Sequence, residues 1–273
     1  MKVSSFFEKP RKAWEYFRSK GLKPTFSYAD MEKYEHDVSF VVAKMLDIDL
    51  LQSMQDAVES AIELGLTFKE FQDMIIPTLQ DKGWWGEREV IDPKTGKKVL
   101  SKLGSVYRLE VIFDTNLKTS YAKGQAEEIL SYAKSAPYLM YDAVLDSKTR
   151  PFHRKWNNTL LPINDKWWDD HYPPCGYRCR CGVIQLSKQE IDEMGLTVSK
   201  NAPDDGFYVW TNPRTGKKLN VANGTDPLFY GLFDKNKKTI ENDILIEKIN
   251  NLIGPMKVKA LEWMKKYEKN TNI

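Results

Sequence analysis

The chain has 273 residues, 41% of them apolar and 29% charged, and a formal net charge of +3. That balance excludes a disordered polymer and supplies apolar material for one large domain or two modest ones. No run approaches the ~20 apolar residues of a membrane span, the first ten residues lack a signal-peptide core, and so small a charge does not suggest a nucleic-acid coat. The expected setting is the cytosol. All 3 cysteines fall between Cys175 and Cys181, an odd and crowded set that suits a metal or buried thiols better than disulfides.

In chain order, Pro10 suits a helix's first turn, and Ala13, Trp14 and Phe17 follow at helical spacing before Gly21 ends the element. A second, longer helix is predicted from Asp30 to Leu46. A third, Leu50 to Leu64, sets Leu50, Leu51, Met54, Val58, Ala61 and Ile62 in one stripe with Gly65 as its stop. Thr67 then caps a fourth, with Phe68, Phe71, Ile75 and Ile76 apolar and Pro77 near its end. These stripes read as core faces.

Residues 84–104 change period. Glu87 to Ile91 and Lys97 to Leu100 flank the turn Asp92-Pro-Lys-Thr-Gly, the pattern of a β-hairpin. Nearly the same turn recurs as Asn212-Pro-Arg-Thr-Gly-Lys-Lys between Tyr208-Val-Trp and Leu219-Asn-Val, one turn chemistry used twice. Between them lie a helix from Arg108 to Leu130 and the Pro-, Trp- and Cys-rich segment 137–187, where irregular structure with short strands is expected. Asp243 to Ile253 and Met256 to Lys269 read as two amphipathic helices broken at Gly254-Pro255. The last carries Lys257, Lys259, Lys265, Lys266 and Lys269, a solvated face or, alternatively, a weak nucleic-acid contact. The class is α+β: a helical N-terminal region (1–83), a core module of central helix and Trp/Cys-rich segment with short hairpins (84–190), and a hairpin with a helical C-terminal tail (191–273).

His153, His171, Cys175, Cys179 and Cys181 exceed the four ligands that structural zinc requires. Cys-x-Cys can reach one ion through a tight turn, while the histidines must arrive by tertiary folding. The spacing is not the Cys-x2-Cys repeat of common zinc ribbons, so buried reduced thiols are the plainer alternative. His153, His171, Asp169, Asp170 and nearby arginines also contain the elements of a phosphodiesterase, yet no nucleophile stands beside a base at recognisable spacing. Asp169-Asp170, between a Trp pair and a Pro pair, suits a turn. Asp146 suits a turn cap and Arg150 a bidentate carboxylate pair that ties loops together. Trp84, Trp85, Trp156, Trp167 and Trp168 are expected to pack in the core, base stacking being the lesser alternative.

Several blocks together resemble a known family. They run in order as Ala13-Trp-Glu-Tyr-Phe, Glu35-His-Asp with Phe40-Val-Val-Ala-Lys-Met, Gly65-Leu-Thr-Phe-Lys-Glu-Phe and Leu79-Gln-Asp-Lys-Gly-Trp-Trp-Gly. Arg108-Leu-Glu-Val-Ile-Phe-Asp-Thr-Asn, Ser120-Tyr-Ala-Lys-Gly, Asp146-Ser-Lys-Thr-Arg-Pro-Phe-His, His171-Tyr-Pro-Pro-Cys-Gly-Tyr-Arg-Cys-Arg-Cys and Pro203-Asp-Asp-Gly-Phe follow. In this the chain resembles the Mu-type head morphogenesis proteins, the protein F-like minor head proteins of tailed bacteriophages. The resemblance implies His153, Cys179 and Cys181 as ligands with His171 or Cys175 as a fourth, although the family commonly has another residue in place of Cys175. It implies a virion protein of few copies, without enzymatic activity, at the portal vertex or capsid interior and in the host cytoplasm during assembly. Implied partners are the portal or major capsid protein, with no membrane or small-molecule substrate; non-specific contact to packaged DNA is the alternative that the basic tail helix offers. The rival reading is a nucleic-acid-binding or nuclease/toxin-like accessory of the particle.

Overall fold

The structure, a computed structural model, describes residues 10–31, 35–229 and 233, all within one unit, Met1–Asp234. Helix α1 (Arg11–Arg18) starts directly after Pro10 and buries Ala13 and Phe17. The expected long helix over 30–46 does not form. Strand β1 (Gly21–Leu22) leads to a 3-10 turn at Tyr28–Asp30, a one-turn helix α2 (Glu35–Val38), and strand β2 (Ser39–Phe40), which pairs in parallel with β1. Tertiary pairing overrides the helical spacing here: Thr25 bridges to both Ala43 and Met45, and Lys44 adopts φ +67°, which no helix continues through.

Local signals hold better in the next pair of helices. Helix α3 (Ile48–Leu64) begins where the Asp47 carboxylate accepts from the backbone N–H groups of Asp49 and Leu50, and ends at left-handed Gly65. Helix α4 (Phe68–Asp81) opens on a reciprocal capping box between Thr67 and Glu70. Strands β3 (Glu87–Ile91) and β4 (Lys98–Lys102) form the first hairpin, and helix α5 (Val106–Ser131) then spans two cores. Its first half buries Leu109 and Phe113 against α1, α3 and α4; its second half buries Ala126 and Ile129 in the other core.

That second core is built round strand β5 (Tyr138–Asp142), the centre of a three-stranded antiparallel sheet. Helix α6 (Pro151–Trp156), edge strand β6 (Leu160–Pro162), helix α7 (Trp167–His171), edge strand β7 (Gly182–Leu186) and helix α8 (Lys188–Glu193) follow. Segment 137–187 is thus short strands joined by short helices, with Asp169 and Asp170 inside α7 and not in a turn. Trp84, Trp156, Trp167 and Trp168 are buried and Trp85 is half-buried, as core packing requires.

Strands β8 (Phe207–Thr211) and β9 (Lys218–Ala222) complete the second hairpin. The two like turns have the same internal bonds. The backbone N–H of Gly96 donates to the Asp92 carbonyl at 2.7 Å, and that of Gly216 to the Asn212 carbonyl at 2.8 Å. Both glycines sit at positive φ, +69° and +74°, where a side chain would be strained. The predicted tail helices and Lys257, Lys259, Lys265, Lys266 and Lys269 lie outside the described residues. Among the described residues no helix is long and apolar enough to cross a membrane.

Candidate metal centre

Three of the five candidate ligands converge. One ligand atom from each of His153, Cys179 and Cys181 lies within 4.8 Å of the others. His153 sits on α6, which Pro151 starts at its first position with the φ a helix needs. The cysteines sit in the turn that feeds β7, where the Cys179 N–H donates to the Gly176 carbonyl at 3.1 Å. His153 Nδ1 is 3.7 Å from the Cys179 sulfur and 3.5 Å from the Cys181 sulfur. A tetrahedral zinc ion with N at ~2.1 Å and S at ~2.3 Å would hold such atoms about 3.5 Å apart.

The opposite edge of the ring fixes its tautomer. His153 Nε2 is 2.9 Å from the Gly224 carbonyl, which can only accept. In the neutral ring the proton is therefore on Nε2, and the Nδ1 lone pair faces the two sulfurs, the arrangement a metal-binding histidine uses. The sulfurs divide their roles. The hydrogen bond from Cys179 draws the Cys181 thiol well below its ordinary range, while the bond to Cys181 and burial hold the proton on Cys179.

Cys175 and His171 stand outside this three-atom group. The Cys175 thiol is fully buried, donates to the His171 carbonyl at 3.2 Å, and is pushed up to about 12 by burial. It nonetheless acts electrostatically on both other sulfurs. The His171 ring stacks on Trp167 at 4.3 Å and 4°, and its Nδ1 donates to the Trp167 carbonyl at 2.8 Å. Burial lowers its basicity and keeps it neutral.

Aromatics pack round the His153 side of the site. Trp156 stacks on His153 at 4.9 Å, meets His171 edge-on at 4.7 Å, and donates its Nε1–H to Asp205 at 2.5 Å. Tyr141, from β5, is fully buried, and its hydroxyl finds no well-formed hydrogen bond in the described structure. Burial and the three neighbouring thiols keep that hydroxyl protonated. One imidazole nitrogen and two thiol sulfurs within 4.8 Å of one another are donors that zinc takes, so these residues fit a metal.

Sequence reasoning did not find the segment that laces the site together. The Gly224 carbonyl accepts from His153, the Thr225 hydroxyl donates to the Asp170 carbonyl at 2.9 Å, and the Asp226 N–H donates to the Cys175 carbonyl at 2.8 Å. The Asp226 carboxylate takes the Tyr177 N–H at 3.2 Å and Arg150 at 3.3 Å. A Cβ on Gly176 would come within 2.1 Å of that carboxylate and displace it from its contacts. The Asn223-Gly224 turn pair was the available signal. Arg150 makes one contact with its carboxylate. The bidentate pair belongs instead to Arg180, which meets Asp146 at 2.7 and 2.6 Å and holds that carboxyl well below its usual range.

The family described as phage Mu protein F-like matches residues 52–184. Protein F of Escherichia phage Mu, whose name provisionally assigns it to capsid assembly, is 35% identical over 233 residues, 85% of this chain and 50% of the relative. The chain belongs to the phage Mu protein F-like family. A second member, the Mu-like prophage FluMu F protein of Haemophilus influenzae, is 31% identical over 177 residues, 65% of this chain and 42% of its own. The chain thus spans half or less of the length of these F-like relatives. No solved structure matches it. The F-like match takes in all five candidate ligands and ends before Asp205 and Gly224.

Proposed function

We propose that this chain is a head-morphogenesis protein of a tailed phage or prophage, a minor virion component that acts by binding the portal or the inner capsid during head assembly and DNA delivery. The observation that carries the reading is the F-like likeness to the Mu protein over 85% of the chain. The metal centre supports a structural role. His153 and Cys179 are buried among aromatics and Cys181 is half-buried, a donor set of the kind that structural zinc takes.

In this reading the ion is zinc, held by His153, Cys179 and Cys181, with His171 or Cys175 as the fourth ligand. Cys175 gives its S–H to the His171 carbonyl, and His171, with Nδ1 on the Trp167 carbonyl, keeps Nε2 as a donor atom. Bound zinc would tie α6 to the turn before β7 and couple the ordering of both to metal occupancy. Mass spectrometry of purified particles and co-expression with the portal test the assembly role. The protein is expected at low copy in virions and in a portal complex on size-exclusion chromatography. Absence from particles together with separate elution at micromolar concentration would overturn it.

A further inference from the structure

We propose that the paired hairpin turns form a landing surface for the phosphate backbone of duplex DNA. The inference stands on charge and geometry and does not rest on the assembly role. The ribbon 87–102 carries five basic residues against three acidic, and the ribbon 207–222 carries three basic and no acidic. Together they hold +5, while the whole chain is only +3. The charge is concentrated, and the fold gathers it further by docking one turn on the other.

Arg214, in the second turn, reaches across to the first. Its two Nη atoms meet the Asp92 carboxylate at 2.5 and 3.0 Å, and its Nε meets Asp30 at 2.7 Å. Lys94 returns the contact by donating to the Arg214 carbonyl. Asp92 and Asp30 are thereby neutralised, and the charged turn residues that face solvent are lysines, of which Lys98 also lies 3.4 Å from Glu89. Lys97 and Lys98 follow the first glycine and Lys217 and Lys218 the second, all four exposed at equivalent positions of like turns.

The type of cation selects the partner. The one guanidinium in these turns, the group suited to forking onto a carboxylate, is spent on Asp92 and Asp30. The other cations of the two turns are ammonium groups, which neutralise phosphates without needing a fixed acceptor geometry. A two-stranded ribbon is also an element that the major groove of B-DNA admits. The contact should therefore be non-specific in sequence and strongly dependent on salt.

The test is fluorescence anisotropy of the full chain with a labelled random-sequence duplex across a salt series. With Lys94, Lys97, Lys98, Lys217 and Lys218 engaged, log affinity against log salt should slope at about −4 to −5. The variant Lys97→Gln, Lys98→Gln, Lys217→Gln, Lys218→Gln, changed only at exposed positions, should keep its melting temperature while the slope becomes shallower by about 3 to 4. The same loss is expected in a background with Lys257, Lys259, Lys265, Lys266 and Lys269 all changed to Gln, which separates these turns from the tail. Wild-type affinity and slope in the fourfold variant would overturn the proposal. So would loss of portal binding with DNA affinity intact, which would reassign the surface to a protein partner. Presence in virions is read independently of either result.

Discussion

The imidazole of His153 and the carbonyl of Gly224, 71 residues apart in sequence, meet at 2.9 Å, and this contact sets which ring nitrogen faces the sulfurs. The residue at 224 has little freedom. Its φ is +93°, and a Cβ there would lie 2.6 Å from atoms of both Phe152 and Trp156. Gly224→Ala should therefore push the carbonyl away from His153 and cost about 2–3 kcal/mol through backbone strain and overpacking. The checks are chemical denaturation and metal stoichiometry of the purified variant. Unchanged values in both would show that the carbonyl does not orient the ring.

Removal of the metal should act on stability through α6 and the turn before β7. Purified protein should hold about one zinc per chain, and a chelator should lower the melting temperature and make the cysteines reactive to a thiol reagent. Cys179→Ser and Cys181→Ser should each reproduce this without chelator. Cys175→Ser should weaken zinc retention more than His171→Gln if Cys175 is the fourth ligand. Metal far below one per chain, with a melt indifferent to chelator, would establish buried thiols instead.

The hairpin contact should respond to acid. The hydrogen bond from Arg214 lowers the Asp92 carboxyl to about 2, below its ordinary value near 4. A carboxyl depressed by folding contributes stability that is complete above its unfolded value and disappears as pH falls through the folded one. The contribution of Asp92 should thus be full at pH 5 and fade between about 4 and 2. Arg214→Ala should lower the melting temperature at neutral pH and flatten the decline across that acidic window. Parallel wild-type and variant curves from pH 5 to 2 would count against the bond as a source of stability.

What the sequence revealed was local chemistry. Gly65, Thr67 and the two Pro-x-Thr-Gly turns act within four or five residues of themselves, and each placed its element almost to the residue, whereas the Asp47 cap that starts α3 two residues before Leu50 was not read. The helix expected over 30–46 failed because Thr25 pairs with residues 18 and 20 positions away, which no local pattern reports. Cys179 and Cys181 were legible as a pair because they are neighbours in sequence. Tyr141, Asp205 and Gly224 were not, since each reaches the site through tertiary packing from another part of the chain. The docking of the two like turns was hidden for the same reason, although each turn was legible alone.

Trp156 carries more of the second core than its burial alone suggests. It has no exposed surface, stacks on His153, meets His171 edge-on, and gives its only hydrogen-bond donor to Asp205. Trp156→Ala should cost about 3–5 kcal/mol, the range for emptying a large aromatic from a core. Trp156→Phe keeps a ring against His153 but leaves a largely buried carboxylate without its donor, for a cost of about 1–3 kcal/mol. If the Asp205 bond is the reason, Asp205→Ala in the Trp156→Phe background should add much less than it does in wild type. Denaturant unfolding of the four proteins of that cycle gives the coupling directly, with about 0.5 kcal/mol or more expected for residues in contact. Strict additivity would mean that Trp156 stabilises the site through its ring alone and that Asp205 has no part in holding it.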